Sequence, residues 1–314
     1  LLEIYNSDVV IITEGNYGLT AKKMHSEQIV IDLWHGFPLK AMGYADKEEI
    51  FKDQILNQWK NVDYVASYSQ LFNEVMNQCI NISSEKYFIS GAPRNDLLFY
   101  ASGKKNLENI LQLSLETEKL AVFMPTYRFT PRGDRTEGAK NLDNIFGFEQ
   151  FDVESFNHFL KTNKIHFIVK LHPAEEARFQ NMFYGASNLH LITQNQLMEH
   201  SLDFYEILNA FDLLITDYSS VYFDFLLLDR PEIFTPVDIE AYEKSRGFLL
   251  KPYEDWVPGP IVLDQENLEK EIIGQLNNDT YSSQRETIRN RIHYYQDRNS
   301  ALRIFQFLDN LLTR

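Results

Sequence analysis

The chain of 314 residues has a single cysteine, Cys79, so it can build neither an intramolecular disulfide nor a cysteine zinc site. A reducing compartment follows, with the cytoplasm as the default. Glycine and proline are scarce, 13 and 10 residues, which excludes collagen-like and low-complexity chains. Basic residues are outnumbered, 30 Lys and Arg against 45 Asp and Glu, for a formal net charge of −15. That balance argues against broad capture of nucleic acid and leaves room only for a local basic site. No apolar run approaches the ~18 residues of a spanning helix, and the richest stretch, 223–228, is interrupted by Asp224. There is no G-x-x-x-x-G-K-[ST] phosphate loop, no G-x-G-x-x-G fingerprint and no G-x-S-x-G elbow. Without H-E-x-x-H, paired histidines at helical spacing or a cysteine pair, no metal site is expected. The chain opens at Leu1 rather than at a methionine, so a targeting or membrane segment can precede it.

What is present is a well-supplied core, 44% hydrophobic, at a length that favours two domains of roughly 150 residues. Short β-rich runs at 8–13, 28–33, 64–67 and 86–89 alternate with helical patterns, as strands of a parallel sheet do. Ile50, Phe51, Ile55, Leu56 and Trp59 share one helical face, as do Leu71, Phe72, Val75, Met76, Cys79 and Ile80 behind a Ser69 N-cap. Cys79 is thereby placed on a buried stripe rather than in a redox role. After a charged stretch at 102–119 a second series follows at 120–127, 166–171, 189–193, 212–216 and 232–234, with helical patterns at 201–210 and 219–228. The expected fold is α/β, two Rossmann-like domains over 1–115 and 116–284, then C-terminal helices over 285–314 that can pack back across both.

The strongest local signal is Thr216-Asp-Tyr-Ser-Ser220, where an apolar strand turns directly into a helix. Such a turn aims free N–H groups outward, and hydroxyls of Ser219 and Ser220 can add bonds to phosphate oxygens. Serine serves equally as a plain N-cap, and Asp217 can either orient a ligand hydroxyl or close the turn. His35, in Leu33-Trp-His-Gly-Phe-Pro-Leu-Lys40, and His172, in Val169-Lys-Leu-His-Pro173, stand at strand ends followed by Gly or Pro. An imidazole there can take a proton from an attacking hydroxyl or neutralise phosphate charge. Arg128, Arg132, Arg135 and Lys140 follow the 120–127 strand, as a basic loop that either closes over a polyanion or is simply solvated. Arg246 follows a chain turn and can pair with a phosphate.

Seven ordered segments resemble the CDP-glycerol glycerophosphotransferase family, which builds teichoic acids and related capsule polymers. They are Trp34-His-Gly-Phe-Pro-Leu-Lys40, Gly91-Ala-Pro-Arg-Asn-Asp96, Pro125-Thr-Tyr-Arg128, Lys170-Leu-His-Pro173, Thr216-Asp-Tyr-Ser-Ser220 with Asp229-Arg-Pro231, Arg246-Gly-Phe248 and Pro258-Gly-Pro260. The resemblance implies a glycosyltransferase-B-like fold, with a CDP-polyol donor on the C-terminal domain and the acceptor at the N-terminal one. It implies His35 as catalytic base, with His172 completing the catalytic pair as a ligand of the donor pyrophosphate. Ser219, Ser220, Asp217, Arg246 and Arg128 become donor-binding residues, and Lys40 and Arg94 lie on the acceptor side. The family commonly has threonine at Phe37 and an acidic residue at Phe129, which bears on acceptor and donor choice. The N-terminal domain also looks short of one or two βα units.

The expected activity is transfer of glycerol phosphate or ribitol phosphate from CDP-glycerol or CDP-ribitol to a hydroxyl of a lipid-linked saccharide or polymer, releasing CMP, with no cofactor and no metal. Two alternatives stand beside it: a glycosyltransferase of the same architecture using a UDP- or CMP-sugar, and a non-catalytic nucleotide-binding module of an assembly complex. Arg285, Arg289, Arg291, Arg298 and Arg303 cluster near Tyr294 and Tyr295, so the last helices either touch an anionic bilayer at the inner face of the membrane or form a solvated, packed surface.

Overall fold

The computed structural model describes residues 2–15, 27–128 and 137–313. Two compact units emerge. The first comprises Leu1–Phe99, Arg246–Leu250 and Arg289–Arg314, and the second Tyr100–Ser245 and Lys251–Ile288.

In the first unit four strands, β1 (Val9–Ile12), β2 (Ile29–Asp32), β3 (Tyr64–Ser67) and β4 (Tyr87–Ile89), form a parallel sheet in the order β1-β2-β3-β4. Their apolar content suits a parallel sheet, although Ile11 of the edge strand β1 is 53% exposed. The helix Gln70–Ile80 is capped by Ser69, whose Oγ accepts from the Phe72 N–H at 3.3 Å, and it buries Phe72, Val75, Met76, Cys79 and Ile80, as its spacing predicts. The last helix, Ser300–Leu312, lays Ile304 against Ile31 and Ala66. Its first turn is capped from far away in sequence: the Asp96 carboxylate accepts from the Ser300 and Ala301 N–H groups, each at 2.9 Å. Gly91, at φ 77°, allows this approach, since a Cβ there would lie 2.5 Å from Ser300 Oγ.

The segment 246–250 joins this unit through backbone pairing. Ala41 N–H donates to Gly247 O at 2.9 Å, Leu249 N–H donates to Leu39 O at 2.8 Å, and Lys40 bridges Phe248.

In the second unit β5 (Lys119–Met124), β6 (Ile165–Val169), β7 (Leu189–Leu191), β8 (Leu213–Thr216) and β9 (Glu232–Phe234) form a parallel sheet in the order β7-β6-β5-β8-β9. Strand order reverses beside β5, which makes the crevice beyond the ends of β5 and β8 the expected ligand position. The core is rich in phenylalanine: Phe146 lies 4.5 Å from Phe123, 5.0 Å from Phe148 and 5.9 Å from Phe156 between ring centroids. Helices Val153–Thr162 and Gln265–Asn277 cover it, capped by Asp152 and Asp264.

Three features differ from the sequence reading. The charged stretch after residue 102 holds a helix, Gly103–Leu111, which belongs to the second unit because Asn106 Nδ2 donates to Glu206 O at 3.0 Å and Asn209 Nδ2 to Ala101 O at 2.8 Å. The pattern at 201–210 yields only Tyr205–Leu208: Ser201, left-handed at φ 54°, closes the preceding helix, and Asp203 Oδ1 accepts from the Tyr205 N–H at 2.8 Å to start the new one. The C-terminal pattern breaks after Ile292 and restarts at Ser300.

Candidate functional site

In the second unit, β5 and β8 end level with each other, Met124 opposite Thr216, and Thr216 Oγ1 donates to Met124 O at 2.7 Å. Beyond them the chain turns at Asp217, which is buried. Its Oδ1 accepts from the Thr126 N–H at 2.7 Å and the Tyr218 N–H at 2.6 Å, while Oδ2 accepts from Arg128 Nη2 at 2.9 Å. Tyr253 OH donates to the Asp217 carbonyl at 2.9 Å. Asp217 therefore fastens the loops after β5 and β8 to each other.

The half-buried residues Ser219 and Ser220 emerge from that fastened turn. Ser220 starts the short helix Val221–Phe225, yet its hydroxyl makes no capping bond. Among the described residues, no group accepts from the Ser219 or Ser220 N–H and neither hydroxyl has a partner. The result is an outward-facing set of donors on a rigid base, suited to phosphate oxygens.

Arg128 is no surface-loop residue, being 1% exposed. Its guanidinium bonds Asp217 and Asp238 through Nη2, at 2.9 and 3.0 Å, and lies 4.8 Å from the Tyr218 ring and 4.9 Å from the Tyr242 ring. The Arg128 carbonyl accepts from the Glu137 N–H at 2.7 Å. Phe129, Arg132 and Arg135 lie outside the described residues. Lys140 points inward, with Nζ donating to Ile145 O at 2.7 Å, and burial pushes its ammonium down to about 8 against the attraction of Asp217.

His172 follows β6 and caps the helix Pro173–Phe179. Its Nδ1 accepts from the Ala174 N–H at 3.3 Å, and its ring stacks on Tyr127 at 4.1 Å. That bond assigns the proton to Nε2, which becomes an outward donor. Burial, aided by Lys170, lowers its pKa.

In the first unit, His35 follows β2. Its Nδ1 donates to Thr13 O at 2.9 Å, leaving the Nε2 lone pair uncommitted by this bond, and its ring packs 4.2 Å from Trp34. Burial lowers its pKa, with Arg94 and Lys40 assisting and the Thr13 carbonyl and Glu14 opposing. Backbone on both sides is held. Trp34 sits at φ 53°, its N–H donating to Asp32 Oδ1 at 2.6 Å, and Asp32 Oδ2 accepts from the Gly15 N–H. Burial lifts the Asp32 pKa to about 6. Arg94 Nη1 donates to the His35 carbonyl and Nη2 to Tyr68 OH at 3.4 Å. Arg94 thus supports the histidine loop.

Phe37 is core: its ring meets Tyr68 and Phe72 edge-on at 6.1 and 5.8 Å. Lys40 is half-buried beside its bridge to Phe248. Arg246 pairs with Asp46, Nη1 to Oδ2 at 3.2 Å, within the first unit.

The second unit thus gathers Arg128, Asp217, Ser219, Ser220 and, through Tyr127, His172; the first gathers His35 with Arg94, and Lys40 with Arg246. Asp238 and Asp32 escaped the sequence reading, which had Lys140 only as part of a basic loop and Tyr127 only as part of the Pro125-Thr-Tyr-Arg128 motif. Asp238 and Asp32 both stand just at or after strand ends, the signal that picked out the histidines. Among the described residues no group of His, Cys, Asp and Glu is arranged to hold a metal ion.

Comparison with known proteins bears on this arrangement. The sequence profile of the CDP-glycerol:poly(glycerophosphate) glycerophosphotransferase family matches residues 1–310. A teichoic acid glycerol-phosphate primase of Bacillus subtilis (strain 168) is 28% identical, over 99% of this chain and 75% of that protein. The teichoic acid ribitol-phosphate polymerase TarL of Staphylococcus aureus (strain NCTC 8325 / PS 47) is 26% identical, over 96% of this chain and 51% of its own length. A teichoic acid poly(glycerol phosphate) polymerase of Bacillus subtilis (strain 168) is 29% identical, with only 32% of its length spanned. A variant of the wall teichoic acid polymerase TagF superposes with a TM-score of 0.76 at 23% identity, over 96% of this chain and 72% of that one. A UDP-GlcNAc 2-epimerase of Methanocaldococcus jannaschii reaches 0.50 at 17% identity, over 98% and 79%. These likenesses show a shared glycosyltransferase-B-like fold of two Rossmann-like domains.

Proposed function

Because this chain belongs to the CDP-glycerol:poly(glycerophosphate) glycerophosphotransferase family, we propose that it transfers glycerol phosphate or ribitol phosphate from a CDP-polyol to a hydroxyl of a teichoic-acid-type acceptor. The observation that carries this reading is His35, with Nδ1 committed to the Thr13 carbonyl and a lowered pKa that keeps Nε2 unprotonated at neutral pH. The acceptor oxygen forms a bond to the polyol-bearing phosphorus, the bond from that phosphorus to the bridging oxygen breaks, and CMP leaves. The hydroxyl proton passes to His35 Nε2.

The diphosphate sits on the Ser219 and Ser220 donors, with His172 Nε2–H adding a hydrogen bond. Asp217 and Arg128 act through the loops they fasten, and Arg94 through the His35 carbonyl. Arg246 adds positive charge partly neutralised by Asp46, and Lys40 serves the acceptor. Positioned donors stabilise charge here without a covalent intermediate. The test is CMP release from CDP-glycerol or CDP-ribitol with a lipid-linked acceptor. A phosphodiester product supports the reading, whereas a glycosidic bond or no turnover overturns it.

A lipid-linked acceptor and a site of action at the inner face of the membrane belong to the same proposal. Four of the five arginines of the cluster are engaged within the protein: Arg285 is 1% exposed and bound by Asp229 and Asp279, Arg303 bonds Asp297 and Ser90 O, and Arg289 and Arg291 also have partners. Support comes instead from exposed Leu302, Phe305 and Leu312 on the last helix. No described helix is long and apolar enough to cross a membrane. Sedimentation with anionic liposomes should fall on Leu302→Ser with Phe305→Ser; equal binding ends this part of the reading.

A further inference from the structure

An open cavity of about 720 Å³ lies in the second unit, away from the turn that carries Ser219 and Ser220. It runs beside edge strand β7, between the segment 180–184 and the helix Gln194–Glu199. Its lining is unusual for an acidic protein: it contains several amides, one carboxylate (Glu199) and two aromatic rings, but no Lys or Arg.

The side chains of Gln180, Asn181 and Asn195 are exposed and have no hydrogen-bond partner among the described residues. Tyr184 is 96% exposed and its ring packs on no other ring there. His190 closes the floor; its Nε2 meets His166 Nδ1 at 2.8 Å, and burial pushes its pKa down to about 4, so it is neutral at physiological pH.

Each of these features selects a ligand class. An amide is donor and acceptor together, which matches a sugar hydroxyl, also donor and acceptor. An exposed tyrosine offers a flat apolar face for the C–H side of a pyranose ring and a hydroxyl for its rim. Lack of any cation, with Glu199 present, disfavours phosphate-bearing ligands. A concave wall with a few convergent polar groups is the form small-ligand sites take.

We propose that this cavity is a binding site for a neutral oligosaccharide, with Tyr184 as its stacking platform and Gln180, Asn181 and Asn195 as its hydrogen-bonding groups. The site stands apart from the transfer chemistry, though one helical segment connects the two regions. His172 caps Pro173–Phe179, which runs straight into Gln180–Phe183, placing the cavity wall about 12 Å from His172 along that axis.

The experiment is saturation-transfer NMR with affinity by calorimetry, using the full chain with N,N′-diacetylchitobiose and maltotriose, and sn-glycerol 3-phosphate as a charged competitor. At least one neutral oligosaccharide should bind saturably, glycerol 3-phosphate should not displace it, and Tyr184→Ala should raise its Kd about three- to ten-fold. Asn195→Ala should also weaken binding, and thermal unfolding should show both variants folded. Failure of both sugars to saturate into the tens of millimolar, displacement by glycerol 3-phosphate, or unchanged affinity in both variants overturns the proposal. Because binding is read without turnover, a protein inactive toward CDP-glycerol can still pass this test, and an active one can fail it.

Discussion

Arg128 and Asp217, 89 positions apart in the chain, meet at 2.9 Å with both side chains 1% exposed. The ion pair is roofed by Tyr218 and Tyr242, and Asp238 shares the same guanidinium nitrogen. Removing one partner of a buried pair costs about 3–5 kcal/mol when the other charge is left alone, and Asp238 on the same nitrogen makes that an upper bound here. Asp217→Asn also presents an amide N–H to Arg128 or to the Thr126 and Tyr218 N–H groups. This variant should unfold at lower temperature and lose CDP-glycerol binding together, measured by thermal unfolding with and without the nucleotide.

His35 separates chemistry from folding. His35→Ala should lower CMP release about 10²- to 10⁴-fold, the range for a positioned general base, with little change in unfolding temperature. Its pKa lies below the ordinary ~6.5. In the wild type, kcat/KM should therefore hold its plateau below pH 6.5 and fall only as the imidazole becomes protonated at lower pH. Rate profiles across pH 4.5 to 8 check this, and a decline centred above the ordinary value contradicts it.

Arg94 can be tested through the same profile. Arg94→Met removes the support of the His35 carbonyl and also a cation that lowers the imidazole pKa. The acidic limb of the rate profile should move to higher pH while kcat falls. A purely structural role would lower activity without moving the limb.

Glu232 is buried with both carboxylate oxygens lacking partners among the described residues, and Tyr222 OH beside it is likewise unpartnered. Burial raises the Glu232 pKa well above its usual value, with Arg285 partly opposing. The folded chain therefore keeps a proton that the unfolded chain releases above about pH 4.3, so this group's contribution to stability declines as pH rises from there. Glu232→Gln should flatten that slope and, at pH 8, raise stability by about 1–3 kcal/mol in denaturant titrations.

Asp96 caps a helix 204 positions later. Asp96→Ala should cost about 1–2 kcal/mol and Asp96→Asn less, since one amide oxygen can still accept. Hydrogen exchange in 300–304 should accelerate first in the alanine variant.

The strands were legible because parallel strands read as short, near-continuous apolar runs, as in Val9–Ile12 at a sheet edge and Leu213–Thr216, which is buried throughout. His35 and His172 were legible because glycine or proline ends their strands. What escaped depends on distant pairing. Nothing near Arg128 announces Asp238, 110 positions on, and nothing in the charged run around Lys104 and Lys105 signals a helix whose Leu107 and Ile110 are buried. The spacing at 201–210 overran because its first residues are spent on closing one helix at Ser201 and capping the next at Asp203.

The chain enters the unit that carries His35 three times, at Leu1–Phe99, Arg246–Leu250 and Arg289–Arg314. That unit is consequently not one piece of gene. A single crossover between two relatives, placed between residues 99 and 289, hands the segment Leu39 to Ala41 a foreign backbone partner, or the His35 sheet a foreign closing helix against Ile31, or both. Exchange of that unit by recombination then requires three matched segments to move together, so the two units of such a protein should diversify in concert rather than by shuffling.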